Sequence, residues 1–132
     1  MFNISKDGYM EMDIITRKVI ACAIEVHKQL GPGLLESTYE SCLVYELLQV
    51  GFSPLNQVEL PISYKSVCLD AGYRLDILLP KSLIIELKVV EKLLPIHTAQ
   101  LITYLKLTDI KTGLLINFNV TRLVDGIKRI QV

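Results

Sequence analysis

Two acidic residues and one lysine, Asp76, Glu86 and Lys88, occupy matching positions in two consecutive runs of alternating polarity, YRLDILLP and SLIIELKVV. Such alternation predicts strands, in which every second side chain projects from one face, so Glu86 and Lys88 share a face. If Pro80-Lys81-Ser82 forms a three-residue turn, Asp76 lies directly opposite Glu86, with the Cβ atoms about 5 Å apart. Because carboxylates at that distance repel each other unless a positive charge lies between them, the pattern predicts a divalent-metal site beside a lysine.

The chemistry of such a site follows from its ligands. Carboxylate oxygens suit Mg²⁺ or Mn²⁺, and a bound cation lowers the pKa of a coordinated water, which Lys88 would orient or deprotonate. A second interpretation is open at this point: an exposed sheet face on which glutamate and lysine form an ordinary cross-strand pair.

Two further segments carry polar residues that suit the same cleft. In GLLESTY, Glu36 lies at the beginning of a predicted helix, after Gly31-Pro32-Gly33, a turn that lets the backbone approach closely. Farther along, His97, Gln100 and Tyr104 have the i, i+3, i+7 spacing of one helical face. Without a metal site, Glu36 is a carboxylate favoured by the helix dipole, and the helical face is a half-buried polar stripe. With one, Gln100 and Tyr104 line the cleft beside the metal.

The elements that position these residues follow from periodicity and from chain breakers. Asp13 is predicted to cap a helix over IITRKVIACAIEVHKQL, and a second helix runs from Leu34 or Leu35 to Gly51. A third helix lies between about Pro95 and Asp109. Strands are predicted for VELPISY, VCLDAG, the two runs above, TGLLINFNV and GIKRIQV. This order predicts one α/β domain over residues 1–132 with a mixed sheet. Within it, residues 1–12 are predicted to form a loosely ordered N-terminal segment.

The segment GLLESTY (33–39) resembles the Gly-x-x-Glu-x-x-Tyr signature of the GxxExxY proteins, a group placed in the PD-(D/E)XK nuclease superfamily near the RecB-type exonucleases. The similarity extends from about Ile14 to the C-terminus and includes AGYRLDILL, IIELKVVEKLLPIHTAQLITYLKL and GLLINFNV. It implies a restriction-endonuclease-like core, a central mixed β-sheet flanked by helices, with nuclease activity.

The resemblance also implies roles for individual residues. Asp76 corresponds to the metal-binding acid of the superfamily, Glu86 to its second acid and Lys88 to the lysine of the Glu-x-Lys motif. Glu36 corresponds to a helical acid that completes the metal site, and the Leu87 backbone carbonyl is a further candidate ligand.

The segment from Gln100 to Tyr104 looks like the Gln-x-x-x-Tyr motif of RecB-type members, which is expected to position the substrate or the active-site lysine. The residues expected to contact the substrate are Lys92, Lys65, Arg74 and His97.

Composition limits the classes of partner. The 132 residues are 51% hydrophobic and carry 14 basic and 14 acidic side chains, which excludes disorder and a strongly basic nucleic-acid binder. Residues 1–64 contain four basic and eight acidic residues, whereas residues 65–132 contain ten basic and six acidic residues. Any nucleic acid would therefore have to bind to a local group of basic residues and not to the surface as a whole. The three cysteines are expected to be buried and reduced. With no signal peptide or membrane span predicted, a cytoplasmic protein without a membrane partner is expected.

Two functions are consistent with these features. The first is Mg²⁺- or Mn²⁺-dependent hydrolysis of phosphodiester bonds in nucleic acid, with DNA favoured over RNA. A homodimer or a partner protein would assist, since a domain of this size offers little surface for gripping a duplex. The second is a catalytically weak or inert nuclease-fold module that acts as a scaffold for proteins or nucleic acid. Metal affinity distinguishes the two.

Overall fold

The structure, a computed structural model, describes residues 3–132, with side chains from residue 12 onward. Its three helices are α1 (Asn3–Leu30), α2 (Glu36–Gln49) and α3 (Pro95–Thr108). The strands are β1 (Leu55–Glu59), β2 (Ile62–Tyr64), β3 (Val67–Leu69), β4 (Arg74–Leu79), β5 (Leu83–Lys88), β6 (Thr112–Asn117) and β7 (Ile127–Gln131), with a 3₁₀ turn at Leu123–Gly126.

Five of the strands form one mixed sheet in the order β1-β4-β5-β6-β7, and β2 and β3 form a separate hairpin. Strands β5 and β6 are parallel, and α3 connects them, whereas the other neighbouring pairs of this sheet are antiparallel. Parallel neighbours require such a crossover, because a short turn can only reverse the chain. The sheet flanked by helices confirms the predicted mixed α/β architecture and is consistent with a restriction-endonuclease-like fold.

Apolar side chains form one core on each face of the sheet. Helices α1 and α2 cover one face, where Val19, Leu43 and Phe118 are fully buried. Helix α3 covers the other face through Leu101, Tyr104 and Leu105. Central strand β5 is buried on both faces, so that charged side chains reach solvent only near its carboxyl end.

The turn between β4 and β5 has the predicted length. The Ser82 amide donates a hydrogen bond to the Leu79 carbonyl at 3.0 Å, and Lys81 has a left-handed φ of 64°. Leu79 pairs with Leu83, and Ile77 pairs with Ile85. This register, continued by one residue, brings Asp76 opposite Glu86, as the sequence predicts.

Several sequence-based expectations are wrong in detail. Asp13 lies inside α1 and does not cap it, and its carboxylate instead pairs with Arg17 at 3.1 Å and Arg129 at 3.3 Å. VELPISY does not form one strand, because the chain leaves β1 after Glu59 and starts the hairpin at Ile62. Of the cysteines, only Cys22 is fully buried, while Cys42 is half-buried and Cys68 is exposed; all three are free thiols.

Two expectations concern the N-terminus and the membrane. The sequence predicts a loosely ordered segment over residues 1–12; residues 1 and 2 lie outside the described residues, α1 begins at Asn3, and the looseness of the segment stays a prediction. Within the part of the chain that the structure describes, no helix has the length and apolar character needed to span a membrane.

A close backbone contact fixes the chain after β6. Gly126 ends the 3₁₀ turn, and a Cβ atom added there would lie 2.3 Å from the carbonyl oxygen of Asn117. A Cβ atom at Gly113 in β6 would meet only the side chain of Leu101, at 3.0 Å. The first contact involves backbone on both sides and cannot relax by a rotamer change.

We therefore expect Gly126→Ala to lower the free energy of unfolding by about 2–3 kcal/mol, and Gly113→Ala to lower it by less. Urea denaturation of the two variants measures the difference. Equal losses would show that the contact with Asn117 relaxes as readily as the contact with Leu101.

Candidate active site

The backbone pairing of β4 with β5 stops where their acidic residues face each other. The Asp76 amide donates a hydrogen bond to Glu86 Oε1 at 3.2 Å, and the Leu87 amide donates one to Asp76 Oδ2 at 2.8 Å. Carboxylates thus accept the amide hydrogen bonds that carbonyl oxygens accept elsewhere in the sheet. One oxygen of each carboxylate is used in this way, and the two carboxyl groups also lie within hydrogen-bond reach of each other.

The peptide of Leu87 also faces this point. In an extended strand, the N–H and C=O groups of one residue point to the same edge. Because the Leu87 amide donates to Asp76, the Leu87 carbonyl is directed toward β4 and not toward β6. Toward β6, the Lys88 carbonyl accepts a hydrogen bond from the Phe118 amide at 3.0 Å.

The alternation of faces along β4 changes at Asp76. Ile77 packs in the core beneath α1 and α2, whereas Leu75, two residues earlier, packs in the core beneath α3. The expectation that the odd positions of YRLDILL share one face is therefore wrong. Asp76 is half-buried at the position where the strand twists from one core to the other.

A left-handed residue in β1 lies beside this twist. The register of β1 with β4 places Gln57 opposite Asp76, and Gln57 has a φ of 52°. Its side chain donates a hydrogen bond to Glu40 Oε1 at 2.7 Å, and neighbouring Asn56 donates one to Glu40 Oε2 at 3.2 Å. A left-handed conformation is unfavourable for a residue with a Cβ atom, so these contacts to the buried Glu40 hold it in place.

Tyr39 fixes the turn that leads to Glu36. Its ring is fully buried and stacks on Phe118, with the centroids 4.5 Å apart and an interplanar angle of 11°. The Tyr39 hydroxyl donates to the Gly31 carbonyl at 2.6 Å and accepts from the Leu34 amide at 3.1 Å. The tyrosine of the Gly-x-x-Glu-x-x-Tyr segment therefore closes the turn from inside α2, and Glu36 is the first residue of that helix.

Helix α3 packs on the face of the sheet opposite to α1 and α2 and carries the predicted residues Gln100 and Tyr104. Tyr104 is buried, Gln100 is half-buried, and both line one groove. His97, one turn earlier, accepts a hydrogen bond from the Leu94 amide through Nδ1 at 3.0 Å and so caps the helix start. Gln100 and Tyr104 thus share a helical face as predicted, while His97 has a capping contact that the sequence did not indicate.

Asn117 holds the chain just beyond Lys88. It is buried, its Oδ1 accepts hydrogen bonds from the amides of Val90 and Asn119, both at 3.1 Å, and its Nδ2 donates to the Val90 carbonyl at 2.9 Å. These hydrogen bonds replace the backbone hydrogen bonds between β5 and β6 where β5 ends, and they fix the direction in which the chain leaves Lys88.

The electrostatics of the cluster reflect crowded acids. Burial, followed by the nearby charge of Asp76, raises the pKa of Glu86 from its ordinary 4.5 to about 8. The pKa of Glu36 is also raised, first by partial burial of its carboxyl group and then by Asp76, while Lys88 opposes the rise. Burial, Glu86 and Tyr73 raise the pKa of the Tyr104 hydroxyl, with a smaller contribution from Asp76. Asp76 thus acts on acids from α2 and β5 and on the tyrosine of α3.

This donor set fits a hard divalent cation. The carboxylates of Asp76 and Glu86 lie on neighbouring strands and repel each other when both are charged. Carboxylate oxygens are the preferred ligands of Mg²⁺ and Mn²⁺. Within residues 12–132, however, no three acidic, histidine or cysteine side chains are gathered closely enough to hold a metal ion on their own. A cation would therefore draw part of its coordination shell from backbone, water or substrate.

The residues predicted to contact the substrate have different surroundings. Arg74 forms an exposed ion pair with Glu59 at 3.3 Å. Lys65 lies over the ring of Tyr64 in the β2–β3 turn, 5.4 Å from its centroid. Lys92 is exposed in the loop that precedes α3. The sequence did not identify Glu40, Gln57 or Asn117 as supporting residues, although Asn117 within the apolar run TGLLINFNV was a usable signal, since buried polar groups need partners.

Comparison with known families agrees with this geometry. A family model described as the PD-(D/E)XK nuclease superfamily matches residues 13–130. No curated protein and no solved structure matches the chain.

We expect Tyr39→Phe to keep the ring stacking but to lose both hydrogen bonds of the turn, which lowers the free energy of unfolding by about 1–2 kcal/mol. The Leu34 amide should exchange with solvent faster, as amide hydrogen exchange measures. Tyr45→Phe is the matched control, because Tyr45 lies in the same helix but is 60% exposed. Unchanged exchange at Leu34 in Tyr39→Phe would contradict this role.

We expect the stability of the metal-free protein to fall as pH rises from about 4.5 to about 8. In this window the folded protein keeps a proton on Glu86 that the unfolded chain has released, so folding binds protons and is weakened as they become scarce. One such group contributes at most about 1.4 kcal/mol per pH unit.

Urea denaturation in EDTA at several pH values measures this slope. Glu86→Gln removes the titrating group and should flatten the profile. A variant profile as steep as the native one would assign the slope to other groups.

Proposed function

Because the chain belongs to the PD-(D/E)XK nuclease superfamily, we propose that it hydrolyses phosphodiester bonds in nucleic acid, with DNA as the favoured substrate and Mg²⁺ or Mn²⁺ as the cofactor. The observation that carries this proposal is the interrupted ladder between β4 and β5, where Asp76 and Glu86 meet one residue before Leu87 and two before Lys88. An ordinary exposed cross-strand pair does not account for it, because Glu86 is only 6% exposed.

Each residue of the cluster has a distinct role in this proposal. Asp76 and Glu86 would hold the cation through their second carboxylate oxygens, with Glu36 and the Leu87 carbonyl as further ligands. A bound cation supplies charge neutralisation at the phosphate and a lower pKa for a coordinated water. Lys88, half-buried on the face of Glu86, would orient that water or donate a hydrogen bond to a phosphate oxygen.

Residues of α3 and the loops would position the substrate. Gln100 and Tyr104 would contact the substrate from α3, and Lys92, Lys65, Arg74 and His97 remain the candidates for contacts to phosphate. The closer assignment to the GxxExxY group and to the RecB-type branch is part of the same proposal. It is supported by the contacts of Tyr39 beside Glu36 and by the shared groove of Gln100 and Tyr104. A homodimer or a partner protein stays a prediction.

We expect purified native protein to cleave labelled DNA in the presence of Mg²⁺ or Mn²⁺, and Lys88→Ala to lose about 100-fold or more of that activity. Lys106→Ala, at an exposed lysine near the end of α3, is the matched control and should retain it. If Lys88→Ala cleaves as fast as the native protein after identical purification, the activity does not come from this site.

Metal binding is tested separately by thermal unfolding. Millimolar Mn²⁺ should raise the melting temperature of the native protein by about 5 °C, because a ligand that binds only the folded state stabilises it. It should not raise that of the Asp76→Ala, Glu86→Ala double variant. An inert scaffold has no need of the cation, so no shift in the native protein would favour the scaffold function over the nuclease.

A further inference from the structure

A groove of about 380 Å³ lies on the side of the sheet covered by α3. Tyr104 and Gln100 contribute to its lining, together with Tyr73 immediately before β4, Ile62 of the hairpin and Ile96 of α3. We call it the Tyr73 groove. Tyr73 connects the groove to the acidic cluster, because it directly precedes β4 and lies three residues before Asp76 in the chain.

The lining of the Tyr73 groove is apolar and aromatic. The rings of Tyr73 and Tyr104 meet edge to face, with the centroids 6.4 Å apart and an interplanar angle of 61°. Tyr73 is 46% exposed and Ile96 is 66% exposed, so much of this apolar surface is open to solvent. Among the described residues that line the groove, none is charged, and Gln100 and Thr103 supply the polar side chains.

This chemistry selects a particular part of a nucleic acid. A phosphate would find no cation in the groove, whereas a nucleobase offers a flat face for the tyrosine and isoleucine side chains and a polar edge for the amide of Gln100. A base can enter only if it is neither paired nor stacked in a helix, and extracting one from a duplex costs a few kcal/mol. The balance of 14 basic and 14 acidic residues provides no general attraction to offset that cost.

We propose that the Tyr73 groove binds an unpaired nucleobase of the strand whose phosphate lies at Asp76, Glu86 and Lys88, so that the protein acts on single-stranded nucleic acid in preference to duplex. This inference rests on the proposed nuclease function, because it takes the phosphate position from that site. Both DNA and RNA carry bases of the required shape, and the experiment distinguishes the two.

Binding is measured by fluorescence anisotropy with end-labelled oligonucleotides: single-stranded DNA, single-stranded RNA, the DNA duplex of the same sequence, and a single strand made of abasic sites. The native protein should bind single strands with bases more tightly than the duplex or the abasic strand. Tyr73→Ala should weaken single-strand binding by about tenfold, since stacking of one base on an aromatic ring contributes about 1–3 kcal/mol.

Two comparisons make the result specific. Ile96→Ser changes another exposed residue of the groove and should weaken the same interaction, while Tyr45→Ala removes an exposed tyrosine of α2 that does not line the groove and should not. A strand that contains 2-aminopurine should lose fluorescence on binding to the native protein, because the base stacks, and should lose less with Tyr73→Ala. A Tyr73→Ala effect restricted to DNA or to RNA would support the groove and identify the sugar.

The failure of this inference differs from the failure of the proposed function. If the native protein cleaves DNA through Lys88 but Tyr73→Ala, with an unchanged melting temperature, binds and cleaves single strands as well as the native protein does, the groove does not bind a base. Equal native affinity for duplex and single strand would also overturn the proposal. If the native protein lacks nuclease activity but binds single strands through Tyr73, the groove stands and the hydrolytic function fails.

Discussion

The structure depends on the meeting of two carboxylates at the point where β4 and β5 stop pairing. Asp76 and Glu86 accept hydrogen bonds from the backbone amides of Leu87 and Asp76, and these bonds replace the sheet ladder. Such hydrogen bonds favour the charged carboxylate, whereas burial and the charge of the neighbouring acid favour the protonated form. For Glu86 the second pair of effects is larger, and its pKa is raised. The two carboxyl groups therefore do not stabilise their own close approach, and the surrounding elements must keep them in position.

Three supports, each from a different element, provide this geometry. Glu40 of α2 fixes Gln57 opposite Asp76, Tyr39 closes the turn before Glu36, and Asn117 of β6 fixes the chain after Lys88. All three supporting side chains are buried, so water rarely competes for their hydrogen bonds. The side chains therefore have little freedom to rearrange. The site is thus built on the sheet and on the start of a helix rather than on mobile loops, which suits a task that depends on the positions of charges.

The sequence predicts the part of this arrangement that local rules determine. Alternating polarity and a three-residue turn predict the register of β4 with β5, in which Leu79 pairs with Leu83 and Asp76 comes to lie opposite Glu86. The supports follow from contacts across the chain: Asn117 bonds to Val90, 27 residues away, and Gln57 bonds to Glu40, 17 residues away. The change of face between Leu75 and Ile77 is equally hidden, because the left-handed Gln57 lies opposite it in a neighbouring strand and no periodicity within β4 contains that information.

The distribution of charge explains why an apolar groove is useful beside an acidic cluster. Without a cation, the acidic cluster offers a phosphate no positive charge beyond Lys88, and the chain as a whole carries no excess of basic residues that would compensate. A substrate that is to stay near the cluster therefore needs a contact that does not depend on charge. Stacking on Tyr73, three residues before Asp76 in the chain, would supply such a contact, and the cation would then determine whether the neighbouring phosphate can approach. In this arrangement the groove selects the unpaired strand and the acids select the metal, so that recognition and chemistry depend on different residues.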